Sequence, residues 1–316
     1  MNQEKIPVLA VVGPTASGKS RLAAELALKY SGEVVSADSM QIYREMDIGT
    51  AKVTPEETLG VPHHLIDFAD PSQTFSVADY VRLAGACIRE IHGRGKLPVL
   101  AGGTGLYVRT LLRGTKLSEG EEDPVLREEL RRKAEREGGE TLLEELRGFD
   151  PQSADRIHPN NIPRLIRAIE IYRTTGRTMT QQIEDSQKEP APYRSLMLGL
   201  TFSDRSKLYE RINQRVDLMF EAGLLEEAER ILRIPEEKST AMQAIGYKEL
   251  APYFAGKISL EEAKENIKRE TRRYAKRQLT WFRRDSEIFW IAVDDAGSFE
   301  EVLHIAEQTI ENAKFL

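Results

Sequence analysis

Two kinds of hydrophobic pattern alternate along this chain. Short apolar runs stand between polar turns at Val8-Leu9-Ala10-Val11-Val12, Glu33-Val34-Val35-Ser36, Pro98-Val99-Leu100-Ala101, Ser195–Thr201 and Ile288–Val293. Such runs read as buried strands. Between them lie stretches with helical spacing: Arg21–Tyr30, Ser76–His92, Asp204–Glu221, Glu226–Leu232, Ala241–Leu250, Glu261–Arg284 and Ser298–Leu316. Ser76 and Asp204 stand where an N-cap belongs. A further short helix is expected over Pro55–Leu59. Strands followed by helices predict an α/β fold, a parallel sheet flanked by helices.

The pattern changes between Leu117 and Pro192. Strand signal almost vanishes there, and Glu and Arg dominate, as in Asp123-Pro124-Val125-Leu126-Arg127-Glu128-Glu129-Leu130. Helices are predicted over Thr141–Leu146, Ile162–Thr174 and Thr178–Asp185. Breaks fall at Gly138-Gly139, Asp150-Pro151, His158-Pro159 and Lys188–Pro192. Residues 117–192 therefore read as an all-helical insertion domain interrupting a core built from 1–116 and 193–316. Its charge run is that of a solvated helix face.

The first strand leads into Gly13-Pro14-Thr15-Ala16-Ser17-Gly18-Lys19-Ser20, the G-x-x-x-x-G-K-[ST] phosphate loop, with a helix behind it. Backbone N–H groups of such a loop converge on an anion, the helix N-terminus adds positive potential, and Lys19 adds a point charge. The Ser20 hydroxyl is placed to ligate Mg²⁺. A ligand carrying at least two phosphates is expected, and the motif alone reads as an ATP or GTP site. The second strand ends in Ala37-Asp38-Ser39-Met40-Gln41-Ile42-Tyr43. Ligands sit at the carboxyl ends of strands in such folds, which places Asp38 near the loop, unless it only caps a helix. The strand at Pro98–Ala101 ends in Gly102-Gly103-Thr104-Gly105, either a turn that lets backbone approach a ligand or a plain strand-to-helix connection. A nucleotide-hydrolysing phosphate-loop protein usually ends a strand with an Mg²⁺-holding aspartate. Here that strand ends in glycine, and Leu65-Ile66-Asp67 is a poor substitute, so hydrolysis is disfavoured. Arg211 and Arg215 share one helix face, as surface arginines often do.

Composition narrows the picture. The 316 residues are 40% hydrophobic and 30% charged, with one cysteine, Cys87, in an apolar helical stretch. That excludes a disulfide framework and a Cys-rich zinc site, and Cys87 reads as a packed thiol. The five histidines lack metal-ligand spacing, and adjacent His63 and His64 read as structural. No apolar run reaches membrane-spanning length, and the N-terminus lacks signal-peptide regions. A cytoplasmic monomer is expected. The net charge is −6, yet Lys264–Arg284 carries nine basic residues against two acidic ones, a local charge of +7. That helix has an apolar stripe at Ala263, Ile267, Ala275, Leu279 and Phe282, and its other faces are either solvated or turned to a polyanion. Too few acids lie within it to balance its bases through i,i+4 pairs.

Taken together, these strings resemble the tRNA dimethylallyltransferase (tRNA isopentenyltransferase) family. The likeness rests on the phosphate loop, Ala37–Tyr43, Met46-Asp47-Ile48-Gly49-Thr50-Ala51-Lys52, Pro62-His63-His64-Leu65-Ile66-Asp67, Gly102-Gly103-Thr104-Gly105-Leu106-Tyr107 and His158-Pro159-Asn160-Asn161. It continues at Gln243-Ala244-Ile245-Gly246-Tyr247-Lys248 and Lys276-Arg277-Gln278-Leu279-Thr280-Trp281-Phe282-Arg283, and so runs nearly end to end. The resemblance implies a P-loop NTPase-like core and transfer of a dimethylallyl group from dimethylallyl diphosphate to N6 of an adenosine beside the anticodon. It implies that Thr15, Ser17, Gly18, Lys19 and Ser20 cradle the diphosphate, with Thr104 in support and Mg²⁺ on Ser20. Asp38 takes the proton of the amine, and Arg215 stabilises the leaving diphosphate. For the tRNA anticodon stem-loop the resemblance implies Asp38, Ser39, Met40, Gln41, Thr104, Arg127, Pro163, Arg164, Leu165, Ile166, Arg167, Gln243, Gly246, Tyr247, Lys248, Lys276, Arg277, Gln278, Trp281, Arg283 and Arg284. The target base is expected to flip out of its stack, with the insertion closing over the anticodon loop. Some members carry a Cys/His zinc finger; with one cysteine, this chain reads as the compact, bacterial-type form. Rival readings are a small-molecule kinase using Asp38 as base, an adenylate isopentenyltransferase, and a nucleotide-dependent RNA-binding switch.

Overall fold

The apolar runs fold as strands of a single sheet. The computed structural model describes residues 5–115, 123–188, 190–234 and 240–316. Strands β1 (Ile6–Val12), β2 (Gly32–Ser36), β3 (His63–His64), β4 (Leu97–Gly102), β5 (Tyr193–Thr201) and β6 (Ile288–Ala292) lie in the order β3-β2-β4-β1-β5-β6. Every pairing is parallel, with Leu9 of the central strand opposite Val99 on one side and Leu196 on the other. Side chains alternate across a strand, so an unbroken apolar run feeds two cores. Val8, Ala10 and Val12 pack with Tyr80, Ile88 and Leu111, whereas Leu9 and Val11 pack with Leu22, Leu26 and Ile310.

The chain divides into two compact units, Met1–Leu112 with Pro192–Leu316 and Arg113–Ala191. In the first, helices α1 (Lys19–Lys29), α2 (Val77–Gly93) and α3 (Gly105–Arg113) follow β1, the β3 region and β4. In the second, α4 (Pro124–Glu137), α5 (Gly139–Arg147), α6 (Pro151–Ala154), α7 (Ile162–Thr175) and α8 (Met179–Lys188) enclose Leu130, Leu142, Leu146, Leu165 and Ile169. Asp123 and Asp150 cap α4 and α6, each followed by proline at the first helical position. The expected boundary at Leu117 lies outside the described residues. The first unit continues with α9 (Arg205–Glu221), α10 (Leu224–Leu232), α11 (Ala251–Phe254), α12 (Leu260–Phe282) and α13 (Phe299–Asn312). Ser76, Asp204, Ser259 and Ser298 accept backbone N–H groups at the starts of α2, α9, α12 and α13. Among the described residues no helix is long and apolar enough to cross a membrane.

Two local readings need correction and a third holds. Ala241–Leu250 is not a helix: one 3₁₀ turn, Ala241–Gln243, gives way to extended backbone at Ala244. Gly246 then takes φ 103°, and the reversal carries Tyr247 fully into the core. Pro55–Leu59 forms turns rather than a helix, because Leu59 at φ 54° reverses the chain before a second turn closes. His63 and His64, read as structural, form the short edge strand β3. His64 Nε2 meets Glu33 Oε2 at 2.7 Å and His63 Nδ1 meets the Val61 carbonyl at 2.9 Å, so both rings are structural.

Candidate active site

The phosphate loop connects the buried end of β1 to the start of α1. Gly18 sits at φ 90° with open space where a Cβ would be, so backbone conformation alone demands glycine there. Inside the loop, the Ser17 hydroxyl is 2% exposed and has no hydrogen-bond partner among the described residues. A buried hydroxyl left unpaired can take a water or a ligand oxygen as its partner. Lys19 Nζ lies 3.3 Å from the Pro14 carbonyl. Burial pushes Lys19 down to about 8; Asp38 opposes that shift, and Arg215 adds to it.

The ends of β2 and β4 complete the site. Asp38 Oδ1 accepts from Met40 N at 2.9 Å and Gln41 N at 3.3 Å, a turn closed by the carboxylate itself. Thr104 Oγ1 accepts from Ser39 N at 3.1 Å, and Thr104 N donates to the Ala37 carbonyl at 3.1 Å, lacing the two strand ends together. Asp38 is thus held as a turn-builder and also as a charge felt by Lys19 and Arg215. Burial lowers Arg215 from its ordinary value, with Glu57 and Asp38 restoring part of the loss. Gly18, Lys19, Ser20, Arg211 and Arg215 line one cavity of about 1030 Å³. Ile48, Val53, Ile66, Leu218 and Met219 give the same cavity an apolar side. The phosphate loop and an apolar wall therefore share one space.

The glycine-rich turn serves a purpose that its sequence did not disclose. A Cβ on Gly103 would lie 2.0 Å from Gln278 Nε2, and one on Gly105 would lie 2.1 Å from Trp281 Cδ1. The close approach here is to α12. Gln278 is 5% exposed, accepts from Thr15 N at 2.9 Å and donates to the Gly103 carbonyl at 3.0 Å. One amide thus ties the phosphate loop to the end of β4. Tyr274, one turn earlier on α12, is pushed well up by burial and then by the Asp38 charge, with hydrogen bonds to Thr104 and Gln278 in opposition. Neither role was visible in the pattern of basic residues that drew attention to this helix.

The sequence profile of the IPP transferase family matches residues 41–285, and that of isopentenyl transferase matches residues 6–70. A tRNA dimethylallyltransferase of Bacillus subtilis is 51% identical over 290 residues, covering 92% of each chain. One from Caldanaerobacter subterraneus is 49% identical over 300 residues, covering 94% of this chain and 95% of its own. The chain belongs to the IPP transferase family. Among solved structures, the tRNA isopentenylpyrophosphate transferase of Bacillus halodurans aligns with TM-score 0.73 and 46% identity over 98% of this chain and 96% of its own. A eukaryotic dimethylallyltransferase acting on tRNA aligns with TM-score 0.80 and 31% identity, over 97% of this chain and 80% of its own.

Surfaces that the family resemblance assigns to tRNA divide into exposed and buried groups. On α12 the apolar stripe is buried throughout. The expectation of unbalanced charge holds for only part of this helix. Lys264 and Lys268 pair with Asp217 at 2.8 and 2.9 Å, a residue of α9 rather than of α12. Arg269 donates to Asn266, Arg272 to Asn213 and Arg273 to Glu270, each at 2.6 Å. Lys276, Arg277, Arg283 and Arg284 are exposed and carry no ion pair among the described residues.

In the second unit, the buried carboxylate of Glu170 accepts from Arg127 at 2.8 and 3.0 Å, from Arg167 at 2.5 Å and from Asp123 N at 2.9 Å. Arg127, Pro163, Ile166 and Arg167 line a cavity of about 570 Å³ there. Pro163 and Arg164 are exposed, whereas Leu165 and Ile166 are core residues of this unit. The side chains of Leu165, Ile166, Tyr247 and Gln278 are buried. Gln41 also looks inward, donating through Nε2 to the Thr50 and Ala51 carbonyls at 3.2 and 3.0 Å.

Proposed function

We infer that this protein is a tRNA dimethylallyltransferase, moving the dimethylallyl group of dimethylallyl diphosphate onto N6 of the adenosine 3′ of the anticodon. The carrying observation is the shared cavity. A phosphate loop, Lys19 and Arg215 stand beside Asp38 and an apolar wall, while β4 ends in Gly102 where a hydrolytic aspartate would stand. In the reaction the allylic C–O bond breaks, a bond forms from N6 to that carbon, diphosphate leaves and N6 loses a proton. Loop N–H groups, Lys19 and Arg215 lie where negative charge grows on the departing diphosphate. The adenine amine is a weak nucleophile because its lone pair is delocalised, and the Asp38 carboxylate accepts its proton as the bond forms.

The orphaned Ser17 hydroxyl fits a phosphate oxygen, and Ser20 fits one ligand position of Mg²⁺. No group of three His, Cys, Asp or Glu that could hold a metal exists among the described residues, so phosphate oxygens and water would supply the rest of the coordination. When bound, Mg²⁺ would offset charge on the diphosphate. Lys276, Arg277, Arg283 and Arg284, with Arg127, Arg164 and Arg167 of the helical unit, are the basic groups that would meet tRNA phosphates. The substrate and the single, buried cysteine favour the cytoplasm.

The decisive assay supplies labelled dimethylallyl diphosphate together with unmodified tRNA or AMP, and follows ATP hydrolysis in parallel. Label is expected in tRNA alone. Label in AMP would reassign the protein to nucleotide prenylation, and ATP turnover without label transfer would reassign it to the kinases.

A further inference from the structure

The segment Asp47–Lys52 has no regular secondary structure, yet Asp47, Ile48, Ala51 and Lys52 form one wall of the cavity. Its anchor lies far away in sequence. The first three backbone N–H groups, of Asp47, Ile48 and Gly49, all donate to the carboxylate of Glu227 on α10, at 2.9, 2.9 and 2.8 Å. Tyr247 Oη donates to the same carboxylate at 2.7 Å. Glu227 is 2% exposed and Tyr247 fully buried. The tyrosine ring lies directly under the loop, since a Cβ on Gly49 would come within 2.6 Å of it.

From its other side the loop reaches the reaction centre. Its Thr50 and Ala51 carbonyls accept from Gln41 Nε2, and Gln41 N donates to Asp38 Oδ1. A continuous chain of hydrogen bonds therefore runs from Glu227 through the loop and Gln41 to the Asp38 turn. A carboxylate is a costly group to bury unless its oxygens are hydrogen-bonded, and here three backbone N–H groups and one hydroxyl meet them. What a carboxylate adds is aim, because it directs four donors at one point and so sets the loop's orientation as well as its position.

We propose that Glu227, braced by Tyr247, is a positioning residue for prenyl transfer. It sets the Asp47–Lys52 wall of the donor cavity and, through Gln41, the turn that carries Asp38. This assignment rests on reading the cavity as the dimethylallyl diphosphate site. Glu227→Gln keeps the shape but offers one acceptor oxygen and turns an NH₂ group toward N–H donors. Tyr247→Phe removes a single donor and keeps the ring beneath Gly49. With the full chain, one would measure KM for dimethylallyl diphosphate at saturating tRNA, kcat, tRNA Kd by filter binding, Kd for inorganic diphosphate, and Tm.

Loss of hydrogen bonds to a buried charge leads us to expect donor KM to rise about tenfold or more in Glu227→Gln, and inorganic diphosphate to bind more weakly. Tyr247→Phe should raise donor KM by roughly two- to fivefold, since one neutral donor of four is lost. The tRNA Kd should stay within about twofold in both, because neither side chain is exposed to RNA. If Glu227→Gln does not fold, Tyr247→Phe carries the test. Donor KM, diphosphate Kd and kcat all unchanged in Tyr247→Phe, with or without a lower Tm, would make the pair merely structural and overturn the proposal. Failure of the wild-type chain to transfer label from dimethylallyl diphosphate would instead overturn the reading of the cavity, and this inference with it.

Discussion

Replacing Gln278 with leucine separates two roles for the same residue. Family resemblance places Gln278 at the tRNA, whereas the structure shows its amide closed between Thr15 N and the Gly103 carbonyl. Leucine is similar in bulk and removes both bonds together with the one to Tyr274, leaving the Thr15 N–H and the Gly103 carbonyl unpaired. At about 1–2 kcal/mol for each orphaned group, the change costs about 2–4 kcal/mol. For a unit of this size 1 kcal/mol moves Tm by about 2–4 °C, so a fall of about 5–15 °C is expected in a thermal scan. Thr15 belongs to the phosphate loop, so part of the loss should reappear as weaker donor binding, a KM for dimethylallyl diphosphate at least about fivefold higher. Filter binding should show tRNA affinity unchanged. The opposite pattern, weakened tRNA binding with Tm and donor KM intact, would refute the reasoning and return Gln278 to the RNA-facing surface.

Asp38→Asn keeps the Oδ1 acceptor that closes the turn to Met40 and Gln41 and removes only the charge. Single-turnover transfer should slow by about 10²-fold or more with tRNA affinity preserved, and a near-normal rate would take Asp38 out of proton transfer. Lys19, held at about 8, loses its charge in the free protein as pH rises through that value. Donor KM should be flat below pH 8 and climb toward about tenfold per pH unit above it, and a flat profile to higher pH would contradict the assignment. The same depressed value means that the unfolded chain binds more protons between about 8 and Lys19's ordinary 10.5. Lys19 therefore makes ligand-free stability rise with pH across that window, which denaturant titrations at several pH values would detect. Joint replacement of Lys276 and Arg277 by alanine should lower the slope of log K against log salt for tRNA by about one per lost phosphate contact. Replacing the tethered pair Arg272 and Arg273 should change that slope less, and equal effects would mean the internal bonds do not restrain those arginines. Cys87, buried and pushed up to about 11, should react with a thiol reagent only on unfolding.

Features legible in the chain were those whose cause is local. An unbroken apolar run marks a strand buried on both faces, so the central strands of the parallel sheet could be read directly from β1, β4 and β5. Ser76 and Asp204 announced helix starts because a cap acts within three residues of itself. The phosphate loop is equally local, since one octapeptide holds its glycines, lysine and hydroxyls. The charge on α12 was legible as a count but not as a surface, because Asp217, which neutralises two of its lysines, belongs to α9.

What folding supplied is the set of partners. Gln278 serves the phosphate loop across 263 residues, and Glu227 serves the Asp47–Lys52 loop across 180. Both act on backbone N–H and C=O groups, which every residue carries and which leave no mark in a sequence. The octapeptide therefore specifies an anion site wherever a strand and helix flank it. The apolar wall, the aim of Asp38 and the inward turn of Gln41 exist only once separate segments share hydrogen bonds in space.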